Sequence, residues 1–212
     1  MLAISGKLED GAARMTIERR TLTDRPELRA TEKGKTAMGY AAVFNRSTDI
    51  AGYFMERIKP GAFSKAVGAD VRALIDHDTG RVIGRTSAGT LRLAEDETGL
   101  KVEIDLPDTT DGRDLAVLLE RGDITGMSFG FVVTHDEWDE TGDVPMRTIH
   151  EVELFEVSAV AFPAYDDTSI ALRSLEEARK ETKRKNFSAA AKRLAMKVSV
   201  DLKTRSTSKA KA

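Results

Sequence analysis

The stretch Thr79–Pro107, TGRVIGRTSAGTLRLAEDETGLKVEIDLP, constrains the fold more than any other part of the chain. Its short alternating runs of apolar and polar residues are parted by turns that carry Gly89 and Gly99. Alternation of period two places successive side chains on opposite faces of a sheet. Runs this short leave no room for an amphipathic helix, so the segment predicts three consecutive strands. Strand signals recur on both sides. AMGYAAVFN (Ala37–Asn45) is rich in small and aromatic residues, and DIAGYFMERIKPG (Asp49–Gly61) reads as a turn, a short strand and a stop. In DVRALIDHD (Asp70–Asp78), Val71, Ala73 and Ile75 alternate with Arg72, Leu74 and Asp76. ITGMSFGFVV and RTIHEVELFEVSAVAF (Arg147–Phe162) flank a polar hairpin tip, THDEWDETGDVPM.

Helical signals are few. Pro60 can open a short helix ended by Gly68, since its missing N–H is not needed there. TTDGRDLAVLLERGD (Thr109–Asp123) is the stronger case: Thr110 or Asp111 caps it, Leu115, Leu118 and Leu119 recur at helical spacing, and Gly122 ends it. The order of elements predicts a mainly β fold, barrel or sandwich, with short helices (β+α). Residues 1–36 read as a polar N-terminal arm, with a strand signal at Ala13–Arg19 and a flexible stretch, TLTDRPELRATEKGKTA, after it. The regular domain spans 37–173. From Arg173 onward thirteen Lys and Arg face four Asp and Glu, so 174–212 reads as a basic tail, helical in its first half and disordered over its last twelve residues.

The 212 residues, 41% hydrophobic and 32% charged, suit one soluble globular domain with polar extensions. The chain has no cysteine, which excludes disulfides, thiolate metal sites and a cysteine nucleophile. With only His77, His135 and His150, a histidine-rich metal cage is not expected, and no phosphate-binding loop or other cofactor motif occurs. No apolar run approaches the roughly 20 residues that span a bilayer. The basic tail lacks interleaved aromatics, Phe187 being alone, so no nucleic-acid partner is expected.

Ser128 stands between Gly126 and Gly130 in GMSFG, where a strand would favour valine. It reads either as a small residue filling a tight corner or as a nucleophile that needs open space around it. The letters match Gly-x-Ser-x-Gly, but strand residues follow where a nucleophile elbow requires a helix. A serine hydroxyl attacks only when a base takes its proton. His77, at the end of a strand between Asp76 and Asp78, is the candidate base. A third group must orient the imidazole, and His150, Glu153 and Glu156 are open for that place. Strict alternation puts His150, Val152, Leu154, Glu156 and Ser158 on one face. Glu156 ranks first, because a carboxylate beside Phe155, Val157 and the run SAVAF is unfavourable unless paired.

Six blocks carry a family resemblance: GYAAVFN, ERIKPGAF, ALIDHD, IGRTSAGTLRLAEDETGLKVEIDLPDT, GDITGMSFGF and EVELFEVSAVAFPAY. In sequence and order, over about Met38 to Ser174, they resemble the prohead maturation proteases of tailed phages. That family is similar in fold to the herpesvirus assembly protease (assemblin), whose β-barrel core is surrounded by helices. The resemblance implies Ser128 as nucleophile, His77 as general base and an acid within EVELFEVS, where Glu156 and Glu153 both lie. His150 would match a herpesvirus-like arrangement. The implied activity is a serine endopeptidase without cofactor or metal. Its implied partners are the major capsid protein with its scaffolding segment, and the protease itself through self-cleavage or as a homodimer. Its implied place is inside the immature capsid in the host cell cytoplasm, with no membrane role. The alternative is a catalytically silent scaffold or assembly protein of the same fold.

Overall fold

The computed structural model describes residues 17–31, 34–162 and 168–209. It divides into two units, Met1–Asp166 and Asp167–Ala212. Among the described residues the first unit holds eleven strands and one helix in the order β1 (Glu18–Leu22), β2 (Glu27–Thr31), β3 (Gly34–Val43), β4 (Thr48–Ile50), β5 (Phe54–Ile58), β6 (Arg72–Ile75), β7 (Asp78–Arg85), β8 (Leu91–Glu95), β9 (Gly99–Asp105), α1 (Thr110–Arg121), β10 (Gly126–Asp139) and β11 (Met146–Val160). The three strands expected in Thr79–Pro107 are β7, β8 and β9. The mainly β class holds, but the described strands form two sheets instead of the closed barrel that the resemblance implied. One sheet runs β1-β10-β11-β5-β4, with β6 joined to β11 and β7 joined to β6; the other runs β2-β3-β9-β8.

The core lies between these sheets. Ala37, Ala41, Leu91, Leu93, Leu100, Val102 and Ile104 from the smaller sheet meet Met127, Phe129, Phe131, Val157 and Ala159 from the larger. Phe54, Phe63, Phe129 and Phe131 are fully buried, each contributing about 1.5–3 kcal/mol relative to exposure. Helix α1 starts one residue earlier than its expected caps: Thr109 accepts the Gly112 N–H, and Gly122 ends the helix at φ +83°. Leu115 and Leu119 are its buried anchors.

Three expectations are corrected. The stretch read as a flexible arm supplies β2, whose exposed polar side chains hide a backbone ladder to β3. Pro60–Gly68 is a run of tight turns rather than a helix, because Gly61 sits at φ +92° and Glu95 takes the Gly61 and Phe63 N–H groups. In the second unit, α2 (Thr168–Lys209) continues through residues expected to be disordered. Its Ala, Lys, Arg, Glu and Leu are strong helix formers, and Glu181–Lys185 forms an i,i+4 pair at 2.9 Å. Among the described residues no helix is long and apolar enough to cross a membrane.

Strand β1 is held to the larger sheet by a buried charge network that its sequence, ERRTL, does not advertise. Arg147 of β11 bonds Glu18 at 2.9 Å, Glu56 of β5 at 3.1 Å and Asp136 of β10 at 2.7 Å. Arg20 of β1 bonds Glu56 at 2.7 Å and Glu18 at 2.8 Å. Burial alone would raise the Glu56 pKa; Arg20 and Arg147 outweigh it and hold the carboxyl below its ordinary value. Burial likewise works against the charge on Arg147, yet Glu18, Glu56 and Asp136 push its pKa above the usual value. Four strands thus meet at one network of two guanidinium groups and three carboxylates.

Candidate active site

His77 is placed by a hairpin. Ile75 pairs with Asp78 across β6 and β7, which leaves Asp76 and His77 as a two-residue loop. Their φ angles are +49° and +60°. Two-residue hairpin loops take left-handed backbone at both positions because it matches the twist of the strands. For a residue with a Cβ that conformation costs about 1–2 kcal/mol, so the tip needs external support. It finds that support at the end of β11: Asp76 N–H donates to Ala159 O at 3.0 Å. Asp76 Oδ1 accepts Ala161 N–H at 3.1 Å, and His77 N–H donates to Ser158 Oγ at 3.2 Å.

Glu156 is placed by a β-bulge. Phe131 pairs with Leu154 and Gly130 with Glu156, so Phe155 is the extra residue between them. Before it Val152 and Leu154 face the core; after it Val157 and Ala159 do. The alternation expected from the sequence therefore breaks at Phe155. Glu156 and Ser158 lie on the face opposite Val157 and Ala159, and no longer share a face with Val152 and Leu154. Gly130 makes room for the acid: a Cβ there would meet Glu156 Oε1 at 2.5 Å and its Cγ at 3.1 Å.

Ser128 lies near the start of β10, between Thr21 of β1 and Ser158 of β11. Its neighbours Met127 and Phe129 point into the core, so Ser128 shares the outer face with Ser158 and Glu156. Both serines are fully buried. The Ser128 hydroxyl donates to the Arg20 carbonyl at 2.9 Å.

The expected residues are brought together unequally. His77 Nδ1 and Glu156 Oε1 lie 2.6 Å apart, with both side chains largely buried. Since a carboxylate oxygen accepts, the hydrogen-bond network assigns the proton to Nδ1 and leaves Nε2 as the basic nitrogen. Nε2 is buried and has no hydrogen-bond partner among the described residues. Glu156 Oε2 accepts from Ser158 Oγ at 2.7 Å, and Arg19 Nε stands 4.0 Å from Oε1. The other candidates for the third place lie elsewhere. His150 is 3.2 Å from Glu137 and packs on the His135 ring at 5.0 Å; Glu153 is exposed, opposite Val132. Ser158 was not singled out by its chemistry, although a polar residue inside SAVAF was the signal that could have found it. Among the described residues no group of three or more His, Cys, Asp or Glu side chains could hold a metal ion.

A mainly β fold with a histidine–carboxylate pair and a buried serine on one sheet face defines a class: proteins with the parts of a serine hydrolase. Comparison with known proteins narrows it. The sequence profile described as caudovirus prohead serine protease matches residues 23–182. The chain is 34% identical over 157 residues to the prohead protease of Enterobacteria phage HK97, covering 70% of this chain and 65% of that protein. It is 32% identical over 117 residues to the prohead protease of Escherichia phage T5, covering 55% of this chain and 52% of that protein. It thus spans just under two thirds and about half of the lengths of these two relatives. The solved bacteriophage T4 capsid assembly protease, gp21, superposes with a TM-score of 0.50 at 12% identity, over 69% of this chain and 98% of that one, a likeness of fold. The chain belongs to the caudovirus prohead serine protease family.

Proposed function

We propose that this chain is a serine endopeptidase that cleaves the major capsid protein with its scaffolding segment, and itself, inside the immature phage shell. The observation that carries the reading is the 2.6 Å His77–Glu156 pair, whose Nε2 is buried and unpartnered, on the sheet face that Ser128 shares. Ser128 is the nucleophile, His77 the general base and Glu156 the acid that orients it. For the reaction the Ser128 hydroxyl leaves the Arg20 carbonyl and turns toward Nε2, and apo geometry commonly tightens in this way when substrate binds. Nε2 takes the proton as Oγ attacks the peptide carbonyl carbon. The same proton then passes to the departing amine, leaving an acyl-enzyme. Water, deprotonated by Nε2, attacks the acyl carbon, and the proton returns to Ser128 Oγ as the acid product leaves. Glu156 stabilises the imidazolium in both halves without accepting its proton.

The direct test is co-expression with the capsid protein of the same phage, followed by intact mass and by labelling with a fluorophosphonate. The expected result is a shortened capsid protein and a single adduct on the peptide that contains Ser128. An adduct elsewhere refutes the assignment of roles. An uncut capsid protein in fully assembled shells would favour the silent assembly protein. A second prediction concerns the acid's seat. Gly130→Ala pushes a methyl group into Glu156, so it is expected to lower kcat by about 10- to 100-fold, the range for losing one charged hydrogen bond. Its melting temperature should move by only a few degrees, because the clash falls first on a side-chain end. Unchanged kcat would mean that the seat is not needed.

A further inference from the structure

We propose that Ser158 is a positioning residue for the reaction: one hydroxyl that fixes the acid and the base together. The inference rests on the Ser128–His77–Glu156 reading above. Ser158 is fully buried, in the pairing position directly opposite Ser128. Its O–H donates to Glu156 Oε2 at 2.7 Å, while its oxygen accepts the backbone N–H of His77 at 3.2 Å. The carboxylate is therefore held at both oxygens, by His77 on one side and by Ser158 on the other. The backbone of the base is held by that same hydroxyl, at a left-handed position, φ +60°, that does not hold itself. A hydroxyl spent on both contacts has its proton engaged by the acid, whereas the Ser128 proton is held only by the Arg20 carbonyl, which leaves Ser128 as the serine that gives its proton to Nε2.

Three variants of the full chain test this: Ser158→Ala, Ser158→Thr and, as a reference, Ser128→Ala. Rates are taken per folded molecule on a capsid-derived peptide, alongside thermal melting and the proton NMR signal of the His77 Nδ1–H. The expected result for Ser158→Ala is a kcat lower by about 10- to 100-fold with KM little changed. The downfield Nδ1–H resonance should move or broaden, and Ser158→Thr should restore part of both. A structural role alone would lower the melting temperature while kcat per folded molecule and the Nδ1–H signal stay as in the wild type, and that result overturns the proposal. The reference variant separates the two readings. If Ser128→Ala still cleaves, the assignment of the nucleophile has failed. If Ser128→Ala is inactive and Ser158→Ala matches the wild type, only the positioning role has failed. Where Ser158→Ala does not fold, the threonine variant decides alone: with its hydroxyl in place, wild-type kcat and Nδ1–H signal support the role, and a hundredfold loss with an unmoved signal refutes it.

Discussion

Ser128→Ala is expected to lower the cleavage rate by about 10^4- to 10^6-fold, the range seen when a serine nucleophile is removed and only binding and electrostatic assistance remain. The variant should fold. Ser128 is buried but makes one side-chain hydrogen bond, to the Arg20 carbonyl, and backbone pairing along β1 and β10 does not depend on it. Losing one neutral hydrogen bond costs about 1 kcal/mol, well inside the stability of an ordinary domain. The check is an initial-rate comparison on a capsid-derived peptide, with circular dichroism and melting on the same samples. A variant that cleaves within tenfold of the wild type would move the nucleophile elsewhere, and Ser158, directly opposite, would be the first place to look. The effect should appear in kcat, because the hydroxyl forms its bond to substrate only as the reaction proceeds.

Arg147→Ala carries the largest expected effect on stability, a loss of about 3–5 kcal/mol. Removing the guanidinium leaves Glu18 and Glu56, each about 5% exposed or less, to share Arg20 alone. It also leaves Asp136 without the partner it holds at 2.7 Å. The packing of Arg147 over the Trp138 ring, 5.5 Å from its centroid, is lost as well. Urea unfolding should show a lower midpoint with an unchanged slope. The pH dependence supplies an independent sign. Glu56 is held below its ordinary value of 4.5 in the folded protein. Its contribution to stability is therefore complete above the unfolded pKa and is lost as the pH falls through the folded one. The variant has lost much of that contribution already, so the gap between it and the wild type should narrow as the solution is acidified. A gap that stays constant from neutral pH into acid would mean that the charge on Glu56 is not what Arg147 supports.

The elements that the sequence made legible are those whose side chains report directly on burial. Val71, Ala73 and Ile75 marked β6, and Leu115 and Leu119 marked α1, because each row alternates in phase with its own backbone. Where backbone pairing or charge does the work, the pattern was silent. β2 bonds β3 through its main chain while its side chains, Leu28 apart, face solvent. β1 buries Glu18 through Arg20, two residues along the same strand, and through Arg147, 129 residues away in sequence. The site was legible in the same divided way. Ser128 and Glu156 stood out as residues ill-suited to their surroundings and His77 as a histidine at a strand end, and for Glu156 the reasoning about an unpaired carboxylate pointed to the residue that bonds His77. The face assignment that accompanied it failed at Phe155, since one extra residue reverses which side chains point inward and leaves no mark in the letters. Ser158 escaped for a different reason: one partner, the Glu156 carboxylate, is only two residues away on the same strand, but the other, the His77 backbone amide, lies 81 residues away and is brought there only by the fold.

The hairpin tip at Asp76 and His77 has an implication for how this chain can change over generations. Because position 77 requires left-handed backbone, a substitution there is screened first by conformation and only then by chemistry. Glycine, asparagine and aspartate enter at little cost, whereas valine or isoleucine would add steric strain to the loss of the imidazole. The mutational route away from activity is thus narrow and recognisable. On the proposed function, a descendant that abandoned proteolysis yet kept this shell of strands would be expected to carry one of those three residues at the tip, with the turn itself preserved.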